Sequence, residues 1–233
     1  MRVGIARLAR GLPWRLPGRD LALLSSFARA EASSLLDLLA AASQTPSEAR
    51  RTLYLKHALD EARHARMFSS RAAQLRAERG KSAVAEERVD FEDLFARLGE
   101  VGFLAFVHRG EARGRRQFEV HRDHFAARGD SRTEAMFETI LGDELRHETY
   151  TGELLVELAG SKRAARRALR RAALWEAWRM WRRAGRFVAQ TLFLVVMTAA
   201  YVALAPLGLI VRLAMPAPRG WLAAEPAPKR RLP

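Results

Sequence analysis

The sequence predicts an all-α protein: a four-helix bundle with one long crossover, followed by a basic helix leading into a transmembrane or re-entrant segment. Three observations carry this. Between residues 20 and 160, apolar side chains recur at three- and four-residue spacing and almost never alternate, so helices rather than strands bury them. Turn and cap residues cut that stretch into two helical hairpins of similar length, joined by a longer connection. From 187 to 211 the chain reads FVAQTLFLVVMTAAYVALAPLGLIV, 25 residues without a charge, more than the roughly 20 that span a bilayer.

Residues 1–19 hold five arginines and no acid, a basic arm that either lies on a membrane surface or is unstructured. The first helix covers about 20–43. Thr45-Pro46-Ser47-Glu48 reads as a capping box with proline in the first turn, opening a second helix that runs to about 78. Residues 80–90 are a polar connection, FEDLFARLG (91–99) is a short helix, and 101–127 is the third long helix. Gly129-Asp130 breaks it, and Ser131-Arg132-Thr133-Glu134 reads as a second capping box, opening a fourth helix to about 159. After Gly160-Ser161 come a basic, tryptophan-bearing juxtamembrane helix (161–186), the apolar segment (187–211) and a basic, proline-containing tail (212–233). Pro206 either kinks a spanning helix or marks the tip of a hairpin returning to the same face.

The formal net charge of +14 is unevenly placed: residues 1–19 carry +5, residues 161–233 carry +13, and the body is −4. Basic ends point to an anionic lipid surface or a nucleic acid. Trp175, Trp178 and Trp181 stand among arginines just before the apolar segment, a composition suited to the headgroup layer. Because the basic helix runs straight into that segment, membrane association is the expected reading and nucleic acid is disfavoured. The positive-inside rule places the bundle on the cytoplasmic side, at the inner membrane if the source is bacterial. Cysteine is absent, which excludes disulfides, thiolate zinc sites and cysteine-ligated iron–sulfur centres. Any metal must rest on carboxylate and imidazole.

Two stretches point to such a metal. LDEARHARMF contains Asp60, Glu61, Arg63 and His64; GDELRHETY contains Asp143, Glu144, Arg146 and His147. Both read D-E-x-R-H. Glu and His at i and i+3 share one helix face and reach one point. The preceding helix of each hairpin offers a carboxylate at similar depth, Glu31 in FARAEASSLL and Glu111 in VHRGEARG. The expected ligands are Glu31, Glu61, His64, Glu111, Glu144 and His147. Charged helices generate single E-x-x-H pairs by chance, but two copies with the same flanking Asp and Arg are hard to explain that way. Four carboxylates balance two divalent ions, and oxygen with imidazole suits iron, with manganese the alternative. Asp60 and Asp143 are expected to accept the second N–H of the ligand histidines, with Arg63 and Arg146 pairing those aspartates.

GDELRHETY resembles the second iron-binding motif of the soluble acyl-carrier-protein desaturases, D-E-x-R-H-E-T. DEARHA is similar to motifs across the ferritin-like superfamily, which includes rubrerythrins and ubiquinone-pathway hydroxylases. The resemblance covers the ligand motifs and helix order of 20–160, and implies a ferritin-like bundle with a di-iron site on the same six residues. The body is shorter than a desaturase. Rubrerythrins usually have a glutamate three residues after the third-helix ligand, where this chain has Gly114, and they often carry a cysteine-ligated iron centre.

His57 and His108 lie four and three residues before Glu61 and Glu111, and so point roughly toward the site. Each is a hydrogen-bond donor, proton carrier or extra ligand, or more plainly a polar contact within the bundle. His121 and His124 are structural or exposed. Tyr150 is a core tyrosine, a donor to a ligand carboxylate or an electron carrier. Gly110 and Gly114 flank Glu111 and serve either close helix packing or room for dioxygen or substrate, with Phe103 and Phe106 then lining an apolar pocket.

Three functions follow as expectations. The first is a membrane-associated di-iron oxidoreductase that uses dioxygen to hydroxylate or desaturate a hydrophobic, lipid- or quinone-like substrate, with electrons from an external donor. The second is iron oxidation or peroxide reduction at the same site. The third is a non-enzymatic membrane anchor for an acidic partner.

Overall fold

A computed structural model describes residues 18–80 and 91–214. They form five helices, α1 (Arg19–Gln44), α2 (Glu48–Glu78), α3 (Leu94–Ala127), α4 (Ser131–Ala159) and α5 (Lys162–Ala214), with no strand among the described residues. Almost all of the expected N-terminal arm, the 80–90 connection and the C-terminal tail lies outside them. The chain divides into two compact units, Met1–Glu176 and Ala177–Pro233.

In the first unit, α1 packs along α2 and α3 along α4, while α1 also touches α3 and α2 touches α4. The pairs α1–α4 and α2–α3 are therefore diagonal across a four-helix bundle. Two apolar clusters fill it. One gathers Leu38, Ala41, Tyr54, Phe103, Leu104 and Leu155, and takes in Ala165 and Ala172 from the start of α5. The other gathers Leu21, Leu24, Phe68, Leu75, Phe118, Phe137 and Ile140. Phe27 packs edge-on against Phe118, with ring centroids 5.0 Å apart, a favoured aromatic geometry. The start of α3 lies beside the α1–α2 turn, where Tyr54 donates to Glu100 (2.9 Å) and Gln44 to Asp93 (3.0 Å). Since α2 ends in the other cluster, the end of α2 and the start of α3 sit at opposite ends of the bundle, as a long crossover requires.

The helix bounds agree closely with the pattern of apolar residues, but both caps fall elsewhere. The N-cap of α2 is Ser47, whose side chain accepts from the Arg50 N–H (3.4 Å). Thr45 is instead the extended residue before Pro46, as the proline ring demands, and its hydroxyl donates to Glu100 (2.8 Å). The N-cap of α4 is Asp130, which accepts from both the N–H and the hydroxyl of Thr133 and is itself held by Arg71 at 2.8 Å. A carboxylate satisfies the helix end and its positive dipole better than the Ser131 hydroxyl. Gly99, at φ 67 and ψ 167, separates the short helix from the long one within α3.

The expected juxtamembrane stretch is split between the two units. Its first half belongs to the bundle: besides the buried alanines, Glu176 receives Arg113 (2.9 Å) and Arg109 (3.2 Å). In the second unit, Arg182 stacks over Trp178 at 4.5 Å. Leu192, Phe193, Leu194, Val195 and Val196 are each 60–63 % exposed. The most apolar window of α5 has a mean hydropathy of 2.3 with none of it buried, so this helix is long and apolar enough to cross a membrane. The helix continues through Pro206, and no hairpin tip forms there.

Candidate metal centre

Midway along the bundle, between the two apolar clusters, the six expected ligands are all buried. Among the described residues, two groups bring four ligand atoms within 4.8 Å of one another: Glu31, Glu61, His64 and Glu144, and His57, Glu61, Glu111 and His147. Glu61 is common to both. Each group draws on three helices; Glu61 and His64 enter one group together, as their i, i+3 spacing implies, whereas Glu144 and His147 divide between the two.

The two motifs support each other crosswise. His64 on α2 donates from Nε2 to Asp143 on α4 (3.0 Å), and His147 on α4 donates from Nε2 to Asp60 on α2 (3.1 Å). Arg63 bonds Asp60 (2.7 Å) and Asp143 (2.5 Å), and Arg146 bonds Asp143 (2.5 Å). The arginines and aspartates thus form one layer that holds both rings and fixes the tautomer with Nδ1 bare. That nitrogen faces inward in both: His64 Nδ1 is 3.5 Å from Glu144 Oε1, and His147 Nδ1 is 3.7 Å from Glu61 Oε1. His64 Nδ1, His147 Nδ1 and Glu144 Oε1 are buried atoms with no hydrogen-bond partner. Buried polar atoms rarely go unsatisfied, and a cation bound between them would satisfy all three. The donor set is all imidazole and carboxylate, as iron or manganese accepts.

The electrostatics agree. Burial holds Glu61 and Glu144 well above the ordinary carboxylate range, reinforced by each other's neighbours Glu31 and Glu111. Burial also pushes Glu31 up to about 7. Burial drives His57 down to about 3 and lowers His64, so both rings are neutral. Asp143, despite burial, is held at about 2 by His64, Arg146 and Arg63. Three of the four clustered carboxylates resist ionisation, while Glu111, despite its burial, is held below the ordinary range by His57 and His147. Three buried carboxyl groups kept protonated are a poor resting arrangement for a bundle core, and become a good one when cations replace their protons. Replacing Asp143 with Asn should keep the fold and weaken metal binding about 10–100-fold, as loss of such a supporting partner typically does. Equilibrium metal titration of the variant measures this, and unchanged affinity would show that the Asp143 layer does not support the site.

The remaining expected residues divide. His57 sits inside the second group, with Nε2 3.0 Å from Glu61 Oε1 and Nδ1 2.6 Å from the Tyr150 hydroxyl. Its spacing, on the face of Glu61 and His64, was the signal for this. Tyr150 is therefore no plain core tyrosine; it touches the site through His57, and burial raises its pKa. His108 does not face the site. Its Nδ1 bonds the Glu148 carbonyl (3.0 Å), and its ring lies against Gly152, lining a surface groove of about 670 Å³ with Leu145, Thr149 and Val156. The absent side chain at Gly152 draws the ring there. Phe103 is fully buried and packs against Tyr54 and Phe95 at 5.9 and 5.7 Å, and Phe106 packs on the same cluster. Gly114 lets α3 approach Glu144, since a Cβ there would stand 3.3 Å from Oε2, whereas Gly110 has open space. His121 is half-buried, with its ring against Phe27 and Phe137, a structural setting.

Comparison with family models, curated proteins and solved structures finds no match to this chain. Fold and site define it by themselves as an all-helical bundle whose buried His/Glu clusters could hold metal ions, with an apolar helix able to cross a membrane.

Proposed function

We propose that this chain is a membrane-associated, ferritin-like di-iron oxidoreductase that uses dioxygen to hydroxylate or desaturate a hydrophobic, lipid- or quinone-like substrate. The observation that carries the proposal is the convergence of Glu31, Glu61, His64, Glu111, Glu144 and His147 on one buried site, with inward imidazole nitrogens left without hydrogen-bond partners. Two iron ions held there would supply the redox chemistry that reduces dioxygen, with electrons from an external donor. The chain's own part is to hold, orient and shield. The Asp60–Asp143–Arg63–Arg146 layer orients the two rings, and the apolar clusters above and below exclude water. The exposed apolar surface of α5 and the tryptophans and arginines before it support attachment to an anionic membrane from the cytoplasmic side, where an apolar substrate is dissolved.

The test is anaerobic reconstitution with ferrous iron, exposure to dioxygen, and mass spectrometry of added membrane lipids and quinones. An oxygenated or desaturated product is expected. Consumption of dioxygen or peroxide with no organic product would assign iron oxidation or peroxide reduction instead, and no bound metal would leave an anchor for an acidic partner. A chain ending at residue 186 should stay soluble, bind metal and react with dioxygen, yet lose turnover of a membrane-held substrate. It should still sediment weakly with anionic vesicles at low salt and less at high salt. Precipitation without metal would show that the apolar helix belongs to the bundle core.

A further inference from the structure

We propose that His57 is itself a metal ligand, the seventh of this centre, so that its two metal positions are chemically unequal. This rests on the metal-centre reading above. His57 is fully enclosed, and its Nε2 lies 3.0 Å from Glu61 Oε1 and 3.5 Å from Glu111 Oε1. Donor atoms sharing one ion at about 2.1 Å and near right angles stand about 3 Å apart, so this is the spacing of co-ligands.

The three histidines of the site follow one pattern. Each has an outward nitrogen engaged by a partner on another helix: Asp143 for His64, Asp60 for His147 and Tyr150 for His57. Each has an inward nitrogen facing the ligand carboxylates. A metal-bound histidine almost always donates its second N–H in this way. The His57 ring also lies 3.7 Å, centroid to centroid, from that of His147, so the two reach the same side of the centre.

The sequence repeat makes the asymmetry explicit. The position four before the motif glutamate is His57 on α2 and Ile140 on α4, and Ile140 is fully buried in an apolar cluster. One half of the repeat spends this inward position on packing; the other spends it on a nitrogen donor. One metal position then has His57, His147, Glu61 and Glu111, and the other His64, Glu31, Glu61 and Glu144. Two imidazoles favour cobalt, iron and copper at the first position, while three carboxylates suit manganese at the second.

The experiment titrates the metal-free full-length protein, in detergent, with Co2+ alone, following its visible absorption. Two steps are expected, the first at least ten-fold tighter. His57→Gln, which keeps a polar group against Glu61 and Tyr150, should weaken the first step at least ten-fold and shift its absorption bands, leaving the second within about three-fold. Tyr150→Phe should leave the bands in place. A second measurement needs no variant: pulsed EPR of wild-type protein with one equivalent of Cu2+ should detect two coordinated imidazoles. Identical isotherms and spectra for wild type and His57→Gln, or a single imidazole on Cu2+, overturn the seventh-ligand assignment alone. A wild-type protein that binds no metal overturns the metal-centre reading and this inference with it.

Discussion

Glu61→Ala should cost the protein both metal ions, whereas His64→Ala should cost one. Glu61 is the residue common to both ligand groups, so its loss takes a carboxylate from each buried position. His64 enters one group only and is the single imidazole there. Elemental analysis after anaerobic loading with ferrous iron should give two ions for wild type, about one for His64→Ala and close to none for Glu61→Ala, with oxygen consumption of the last at background. The metal-free variant should nonetheless be more stable than metal-free wild type. Removing Glu61 removes the cost of burying its carboxyl group, to which Glu31, Glu111 and Glu144 add, and alanine is the better helix former. A higher melting temperature alongside lost metal is hard to obtain from a general packing defect. If Glu61→Ala keeps two ions, the shared position is wrong.

The order and extent of the helices were legible because the amphipathic repeat is long and its breaks fall at Gly129 and around Thr45-Pro46. The capping residues were not, because Ser47 and Asp130 each sit beside another plausible cap, and contacts with Glu100 and Arg71 across the fold decide between them. At the site, the six expected ligands could be read from two identical motifs plus matched depth in each hairpin. What could not be read was which aspartate supports which ring. Each motif carries its own Asp, yet His64 turns to Asp143 and His147 to Asp60, because α2 and α4 are neighbours and the crosswise distance is the one a hydrogen bond spans. His108 shows the same limit. Its spacing from Glu111 matches a site-facing residue, but the bare backbone at Gly152 gives the ring a closer resting place. Face and depth follow from sequence; the choice between two acceptors on one face depends on neighbouring helices.

The metal-free protein should lose stability as the pH rises above 6.5, and metal loading should abolish that loss. Glu31 has its pKa raised from 4.5 to about 7, and Glu61 and Glu144 are held well above 4.5, in each case chiefly by burial. A raised folded pKa gives stability that is complete below the unfolded value and disappears as the pH climbs through the folded one. Between about 4.5 and 6.5 this is opposed. Burial lowers His57 to about 3, lowers His64 and takes His121 to about 4, so these rings stay neutral in the fold and gain protons on unfolding. His124 is lowered by burial as well, and these four rings oppose the three raised carboxylates and leave a shallow profile. Above 6.5 the unfolded histidines are neutral, and the carboxylates remain, joined by His147, which, despite its burial, Glu111 and Asp60 raise. Protons that these buried carboxyl groups keep in the fold, and that the unfolded chain has already released, make stability fall with rising pH. Bound cations take the place of those protons, so the loaded protein should have a flat profile over the same range, and loading at pH 7 should release protons into weak buffer. Thermal unfolding of metal-free and loaded protein at pH 6.5, 7.5 and 8.5 measures both. A metal-free protein equally stable at all three values would mean that its clustered carboxylates ionise without penalty, and the electrostatic case for a site completed by cations would fall.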